Sequence, residues 1–183
     1  NPDNFLGRLL EGERVNDIAV DGANRKWIAT NNGVFLLSED GYERVYFYNS
    51  ENSPLPDNRV SKVAVDGVTG MVYFATERGL VGYRGEATNG RAVADKNEAY
   101  AFPNPVRPDY EGNISITNLP TDANVKITDI NGGLVHETYA LGGQAVWNGY
   151  DYTGRRTASG VYLVWVVSGD GQQKLATKVV FLR

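Results

Sequence analysis

The most apolar run in the chain, Val161-Tyr162-Leu163-Val164-Trp165-Val166-Val167, is bracketed by polar turns. Upstream lie Trp147-Asn148-Gly149-Tyr150-Asp151 and Ala158-Ser159-Gly160, and downstream lies Gly169-Asp170-Gly171. Glycine supplies positive φ in such turns, and Asp and Asn bond to nearby backbone. The pattern predicts the central strand of a β-sandwich, returning as a long hairpin through Leu175 to Leu182. Ile114 to Thr117 alternates apolar with polar, as does Val125 to Ile130. Asn131-Gly132 predicts a type I′ hairpin into Leu134-Val135-His136-Glu137. Ala145-Val146-Trp147 adds a short strand. Roughly seven strands over about 85 residues, beginning near Ala99, predict an immunoglobulin-like sandwich.

The first half repeats itself. Arg14-Val15-Asn16-Asp17-Ile18-Ala19-Val20-Asp21-Gly22 aligns with Arg59-Val60-Ser61-Lys62-Val63-Ala64-Val65-Asp66-Gly67. Trp27 to Thr30 aligns with Tyr73 to Thr76, and Gly33-Val34 with Gly79-Leu80. Short strands with glycine turns at a period of about 45 residues predict propeller blades. The first unit holds four strands: Val15 to Val20, Trp27 to Thr30, Val34 to Leu37 and Val45 to Tyr48. Pro54 and Pro56 in the stretch Asn49 to Asn58 stop any strand there. The second unit runs to about Tyr83 without an obvious fourth strand. Residues 1–13 are expected to form a short helix or an irregular lead-in.

The expectation is therefore an all-β chain: two β-propeller-type blades in 1–84, a polar linker in 85–98, and an immunoglobulin-like β-sandwich in 99–183. Two blades do not close a ring, and open blade edges expose unpaired backbone. The chain reads as the C-terminal piece of a longer protein, with self-association through the blade edges as one way to cover them.

Composition adds exclusions. The 21 glycines and 11 tyrosines favour a turn-rich β protein. A net charge of −4 without a basic run gives no nucleic-acid footprint. Cysteine is absent, so neither disulfides nor thiolate metal sites are expected. No stretch reaches the length of a membrane-spanning helix, and the start at Asn1 suggests that any targeting segment has been removed.

Candidate chemistry is sparse, and no catalytic residue, cofactor or metal is expected. His136 is the sole histidine, which argues against a triad or zinc site; it reads as a solvent-side strand residue. Asp21 and Asp66 read as turn formers, with a ligand at a propeller face as the competing reading. Asp129-Ile130-Asn131-Gly132 mimics part of a calcium loop but lacks the remaining oxygen ligands, so the hairpin is preferred. Asp151, Arg155 and Arg156 form a charged cluster that suits an anionic group or a local ion pair. Tyr46 and Tyr48, flanking Phe47, offer faces for stacking on sugars, although alternate strand residues point opposite ways. These five (Asp151, Arg155, Arg156, Tyr46 and Tyr48) are the candidate ligand or partner contacts.

Two resemblances sharpen the picture. Val15-x-x-Ile18-x-x-Asp21, the aromatic strand ending in Thr30, the following Gly33-Val34 and the linker Asn52-Ser53-Pro54-Leu55-Pro56 resemble the two-component regulator propeller repeat. Phe102-Pro103-Asn104-Pro105, Val125 to Asp129, Trp147-x-Gly149-x-Asp151, Gly154, Ala158 to Tyr162 and the ending Lys178 to Arg183 resemble the C-terminal sorting domains of the type IX (Por) secretion system of Bacteroidetes. The combination looks like the tail of a PorZ-type surface protein. That resemblance implies an exported protein of the cell surface, outer membrane or periplasm that assists attachment of type IX cargo, with secretion-machinery proteins or a lipopolysaccharide glycan as partners. Two other classes stay open: secreted cargo, such as a polysaccharide-degrading enzyme, whose catalytic part lies upstream; and a periplasmic sensor propeller, which would continue into a membrane helix and a kinase.

Overall fold

The computed structural model of the chain describes residues 9–90, 99–167 and 173–182. Every named strand pairing among them is antiparallel and no helix occurs. The chain divides into two compact units, Asn1–Gly85 and Glu86–Arg183. Residues 9–12 form a turn, and the remainder of the expected lead-in before them lies outside the described residues.

The first unit consists of two meandering sheets. β1 (Val15–Val20), β2 (Lys26–Thr30), β3 (Val34–Leu37) and β4 (Arg44–Tyr48) pair in sequence order. β5 (Val60–Asp66), β6 (Met71–Thr76) and β7 (Gly79–Arg84) do the same, with no fourth strand among the described residues. The repeat seen in the sequence is a repeat of local chemistry. Thr30 Oγ1 donates to the Gly33 carbonyl at 2.9 Å and accepts from Asn32 N–H at 3.1 Å. Thr76 donates to the Gly79 carbonyl at 2.9 Å and accepts from Arg78 N–H at 3.2 Å. Each threonine ties down the tight turn into the third strand of its sheet.

The two sheets share one core. Trp27, Ala29, Val34 and Leu36 of the first meet Val60, Val63, Val72 and Phe74 of the second, and Leu55 from the connecting loop plugs between them. Polar contacts fix the alignment: Asn16 Nδ2 donates to the Val60 carbonyl at 2.8 Å, and Asp17 accepts from Val63 N–H at 3.2 Å. The first sheet is apolar on its other side too, where Ile28, Phe35 and Leu37 cluster with Leu9, Leu10 and Phe47.

The apolar residues Val15, Ile18 and Val20 of β1 are 41%, 56% and 52% exposed. Their repeat equivalents Val60 and Val63 are 0% and 6% exposed. The difference is position: β5 lies against the first sheet, whereas the corresponding side of β1 has no neighbouring sheet among the described residues.

Among the described residues, the second unit has seven strands in two sheets. β8 (Tyr100–Phe102), β9 (Ile114–Thr117) and β12 (Ala145–Trp147) make one, in the order β12-β9-β8. β10 (Asn124–Thr128), β11 (Leu134–Tyr139), β13 (Gly160–Val167) and β14 (Gln173–Phe181) make the other, in the order β11-β10-β13-β14. As the apolar run predicts, β13 is an internal strand. Its Tyr162, Val164 and Val166 share a core with Ile114, Ile116, Val125, Ile127 and Trp147 from both sheets. The tip between β13 and β14, with Gly169 to Gly171, lies outside the described residues.

The Asn131-Gly132 turn differs from the type I′ form. Gly132 alone has positive φ (86°), and Gly132 N–H donates to the Asp129 carbonyl at 3.1 Å. Asp129 Oδ1 accepts from Asn131 N–H at 2.8 Å and Gly133 N–H at 2.9 Å. A type I′ turn needs two positive φ values; here the Asp129 side chain holds a longer turn with only one. Within the stretch read as linker, Ala87 and Thr88 are buried, and the Thr88 carbonyl accepts from Gly143 N–H at 2.8 Å.

Candidate functional site

The loop after β12 holds three of the candidate residues. Asp151 turns back on its own loop: Oδ1 accepts from Thr153 Oγ1 at 2.6 Å, Thr153 N–H at 2.8 Å and Arg155 N–H at 3.0 Å. Those bonds, that from Thr153 foremost, hold its carboxyl below the usual carboxylate range. Arg155 lies exposed on the same loop.

Arg156 faces the other way. Its guanidinium lies over the rings of Tyr150 and Phe181, at 5.3 Å and 5.6 Å from their centroids. Nη1 donates to the Asn148 carbonyl at 2.9 Å and Nη2 to the Tyr110 carbonyl. Gly149 makes room for it: φ is +76°, and a Cβ there would come within 2.5 Å of Arg156 Nη1. The structure thus brings Asp151 and Arg155 together on the loop surface, while Arg156 pins that loop to the sandwich as a cation among carbonyls and rings.

His136 is half-buried and lies against Trp147, with ring centroids 6.3 Å apart, rather than facing solvent. Burial pushes its pKa down. Trp147 is fully buried, packs edge-on against Tyr162 and Phe181, and donates its indole N–H to the Tyr150 carbonyl at 2.8 Å.

In the first unit, the two turn aspartates differ. Asp21 is buried: Oδ1 accepts from the N–H groups of Ala23 and Arg25, while Oδ2 accepts from Arg25 Nε at 2.9 Å and Trp27 Nε1 at 3.0 Å. Asp66 accepts from Thr69 Oγ1 at 2.6 Å and Val68 N–H at 2.9 Å, and these bonds lower its pKa. Tyr73 replaces Trp27 in that sheet, so no indole is there to draw Asp66 inward.

Tyr46, Phe47 and Tyr48 divide as strand alternation requires. Phe47 packs on Phe35 at 4.5 Å, and Tyr48 stacks on Trp27 at 5.7 Å. Tyr46 is exposed and lies 4.5 Å from the Tyr48 ring. Sequence reasoning missed Tyr83, whose ring lies 5.1 Å from Tyr48 with the two hydroxyls 3.2 Å apart. Tyr48, Tyr83, Pro54, Leu55, Phe74 and Val81 line a small apolar pocket of about 20 Å³ beside β7. The absent fourth strand of the second repeat was the signal that could have found it.

Among the described residues, no group of three His, Cys, Asp or Glu side chains could hold a metal ion. Nor do they include a helix long and apolar enough to cross a membrane. The surfaces on offer are aromatic and loop-borne, suited to binding.

The class these features define is an all-β protein of several small antiparallel sheets, in which a pair of repeated meanders precedes a two-sheet unit. No family model matches the chain, and no curated protein matches it. Among solved structures, the chain is similar to PorZ, described as an essential bacterial surface component of the type-IX secretion system of Porphyromonas gingivalis. Identity is 35%, the match covers 93% of this chain and 23% of that one, and the TM-score is 0.61. The chain therefore spans less than a quarter of that relative's length. Matches also include the extracellular domains of a one component system (12% identity, TM-score 0.33, 93% of this chain and 25% of that) and of a hybrid two component system (14%, 0.34, 91% and 26%), both from B. thetaiotaomicron. Superpositions that loose carry no functional weight.

Proposed function

We propose that this chain is part of a PorZ-like exported surface protein, a non-catalytic accessory of type IX (Por) secretion and surface attachment. In this reading residues 1–84 are two propeller blades, and residues 99–183 are an immunoglobulin-like domain of the sorting type. The single observation that carries it is the 35% identity to PorZ maintained over 93% of the chain, across both units. Secretion-machinery proteins or a surface glycan are the partners, met through exposed Tyr46, through Tyr48, and through the loop bearing Asp151 and Arg155, which Arg156 anchors. Fold alone would not license this.

The test is genetic and biochemical. The gene for the full-length protein is disrupted in the native bacterium, and type IX cargo is quantified on intact cells and in the medium. The reading expects cargo to leave the surface. Complementation should require the region equivalent to residues 86–183. Normal cargo display in the disrupted strain would overturn the proposal.

A further inference from the structure

The sequence holds four Asn-Gly pairs: Asn32-Gly33, Asn89-Gly90, Asn131-Gly132 and Asn148-Gly149. Such a pair carries a reaction of its own. The glycine nitrogen can attack the asparagine side-chain amide carbon, because glycine has no Cβ to block the approach and its backbone bends freely. The structure treats the four pairs differently.

Three of them are held. Asn32 Nδ2 donates to both carboxylate oxygens of Glu13, at 3.2 Å and 3.1 Å, and Gly33 is buried against the Tyr48 carbonyl and the Phe47 ring. Asn148 Oδ1 accepts from Tyr150 N–H at 3.1 Å, the Asn148 carbonyl accepts from Arg156, and Gly149 is buried beneath that guanidinium. The Asn89 carbonyl sits against Gly143, and half-buried Gly90 lies on Thr121.

Asn131-Gly132 is open. It alone of the four has both residues exposed, in the turn between β10 and β11. A Cβ at Gly132 would meet nothing within 4 Å. No side-chain bond of Asn131 occurs among the described residues. What restrains the pair is the turn itself: Gly132 N–H donates to the Asp129 carbonyl at 3.1 Å, and Asp129 Oδ1 holds the N–H groups of Asn131 and Gly133. Solvent-exposed turns of this kind open at little cost.

We propose that Asn131 is a modification site, converting slowly to aspartate and isoaspartate with water as the only co-reactant. The Gly132 nitrogen bonds to the Asn131 side-chain carbon and closes a cyclic imide. The amide nitrogen leaves as ammonia, taking the proton that the Gly132 N–H gives up. Water then opens the ring at either carbonyl. Breaking the bond from nitrogen to the side-chain carbonyl leaves aspartate, and breaking the bond to the backbone carbonyl leaves isoaspartate. Each product adds a negative charge close to the Asp129 carboxylate, and isoaspartate also lengthens the backbone of the turn by one carbon. Both changes loosen the bonds by which Asp129 holds the tip. This chemistry is independent of any role in secretion.

The test incubates the 183-residue chain in mildly alkaline buffer, native and in concentrated urea, and follows each pair by peptide mapping that separates aspartyl from isoaspartyl forms. In urea the four pairs should convert within about 3-fold of one another, since the fold no longer distinguishes them. In the native chain Asn131 should convert at least about 5-fold faster than any other pair. Both product forms should appear, and amide exchange at Gly133 should be faster in the converted chain. Asp129→Ala, which frees the turn, should speed conversion at Asn131 and leave the other three rates unchanged. Asn131→Gln should remove the product and leave the other three rates as they were. The proposal is overturned if Asn131 converts no faster than the other pairs in the native chain. It is equally overturned if the product is aspartate alone, or if Asp129→Ala leaves the Asn131 rate unchanged.

Discussion

Asp21 is the residue whose loss should damage the first unit most. Its carboxylate accepts both the Arg25 Nε–H and the Trp27 indole N–H, and it also holds two backbone N–H groups of the turn. The side chains of Asp21 and Arg25 are only 2% and 11% exposed. Asp21→Ala would leave a buried guanidinium without its counter-charge, which typically costs about 3–5 kcal/mol. The orphaned indole N–H falls within the same loss, because neighbouring effects do not add. A unit of some 85 residues is stabilised by about 4–13 kcal/mol, so the variant would lose a large share of it. At about 4–8 °C per kcal/mol for a unit of this size, Tm should fall by roughly 12–40 °C. Asp21→Asn should behave similarly: it keeps the shape but loses the charge and one acceptor. The comparison is Asp66→Ala, at the equivalent but exposed turn, where a much smaller effect is expected. Hydrogen-exchange mass spectrometry across a urea series reads the two units separately. A loss below about 1 kcal/mol for Asp21→Ala, or one equal to that of Asp66→Ala, would refute the argument that this buried pair holds the first sheet.

Further outcomes concern the second unit. Trp147→Ala removes a fully buried indole that packs on Tyr162 and Phe181 and should cost about 3–5 kcal/mol, read as an early calorimetric transition of that unit alone. Asn104 clips the outer edge of β14, donating to the Lys178 carbonyl at 2.9 Å and accepting from Val180 N–H at 3.0 Å; Asn104→Ala should cost about 1–2 kcal/mol and speed amide exchange at Val180. His136 has a depressed pKa from burial, so its contribution is complete above the unfolded value near 6.5 and is lost as pH falls through and below it; His136→Gln should flatten Tm between about pH 7 and pH 5. Asp151 is also depressed, by Thr153 first, so its contribution is present above about 3.9 and is lost as pH falls through the lower folded value. Thr153→Val should raise that pKa in an NMR titration.

The repeat was legible because its markers are local. An aspartate before a turn, a threonine closing a strand and a glycine at positive φ each specify backbone within a few residues. The internal position of β13 was legible from the length and apolarity of its run. What lay hidden depends on partners distant in sequence. Val15 and Ile18 carry the same pattern as Val60 and Val63, and only packing decides which pair is buried. Arg156 and Arg155 are adjacent and alike in sequence; only the fold shows that one reaches the Tyr110 carbonyl, 46 positions away, and the Phe181 ring. The turn at Asn131-Gly132 was misjudged because the dipeptide signal ignores a side chain two residues earlier, that of Asp129, which holds the backbone in another form.

The central claim is that the second unit is a permanent part of a surface accessory protein, and the intact mass of the full-length protein released from native cell surfaces tests it most directly. The account predicts a mass that includes residues 99–183. A mass lacking that region would make it a disposable sorting signal, and the protein a cargo of the system instead of a component.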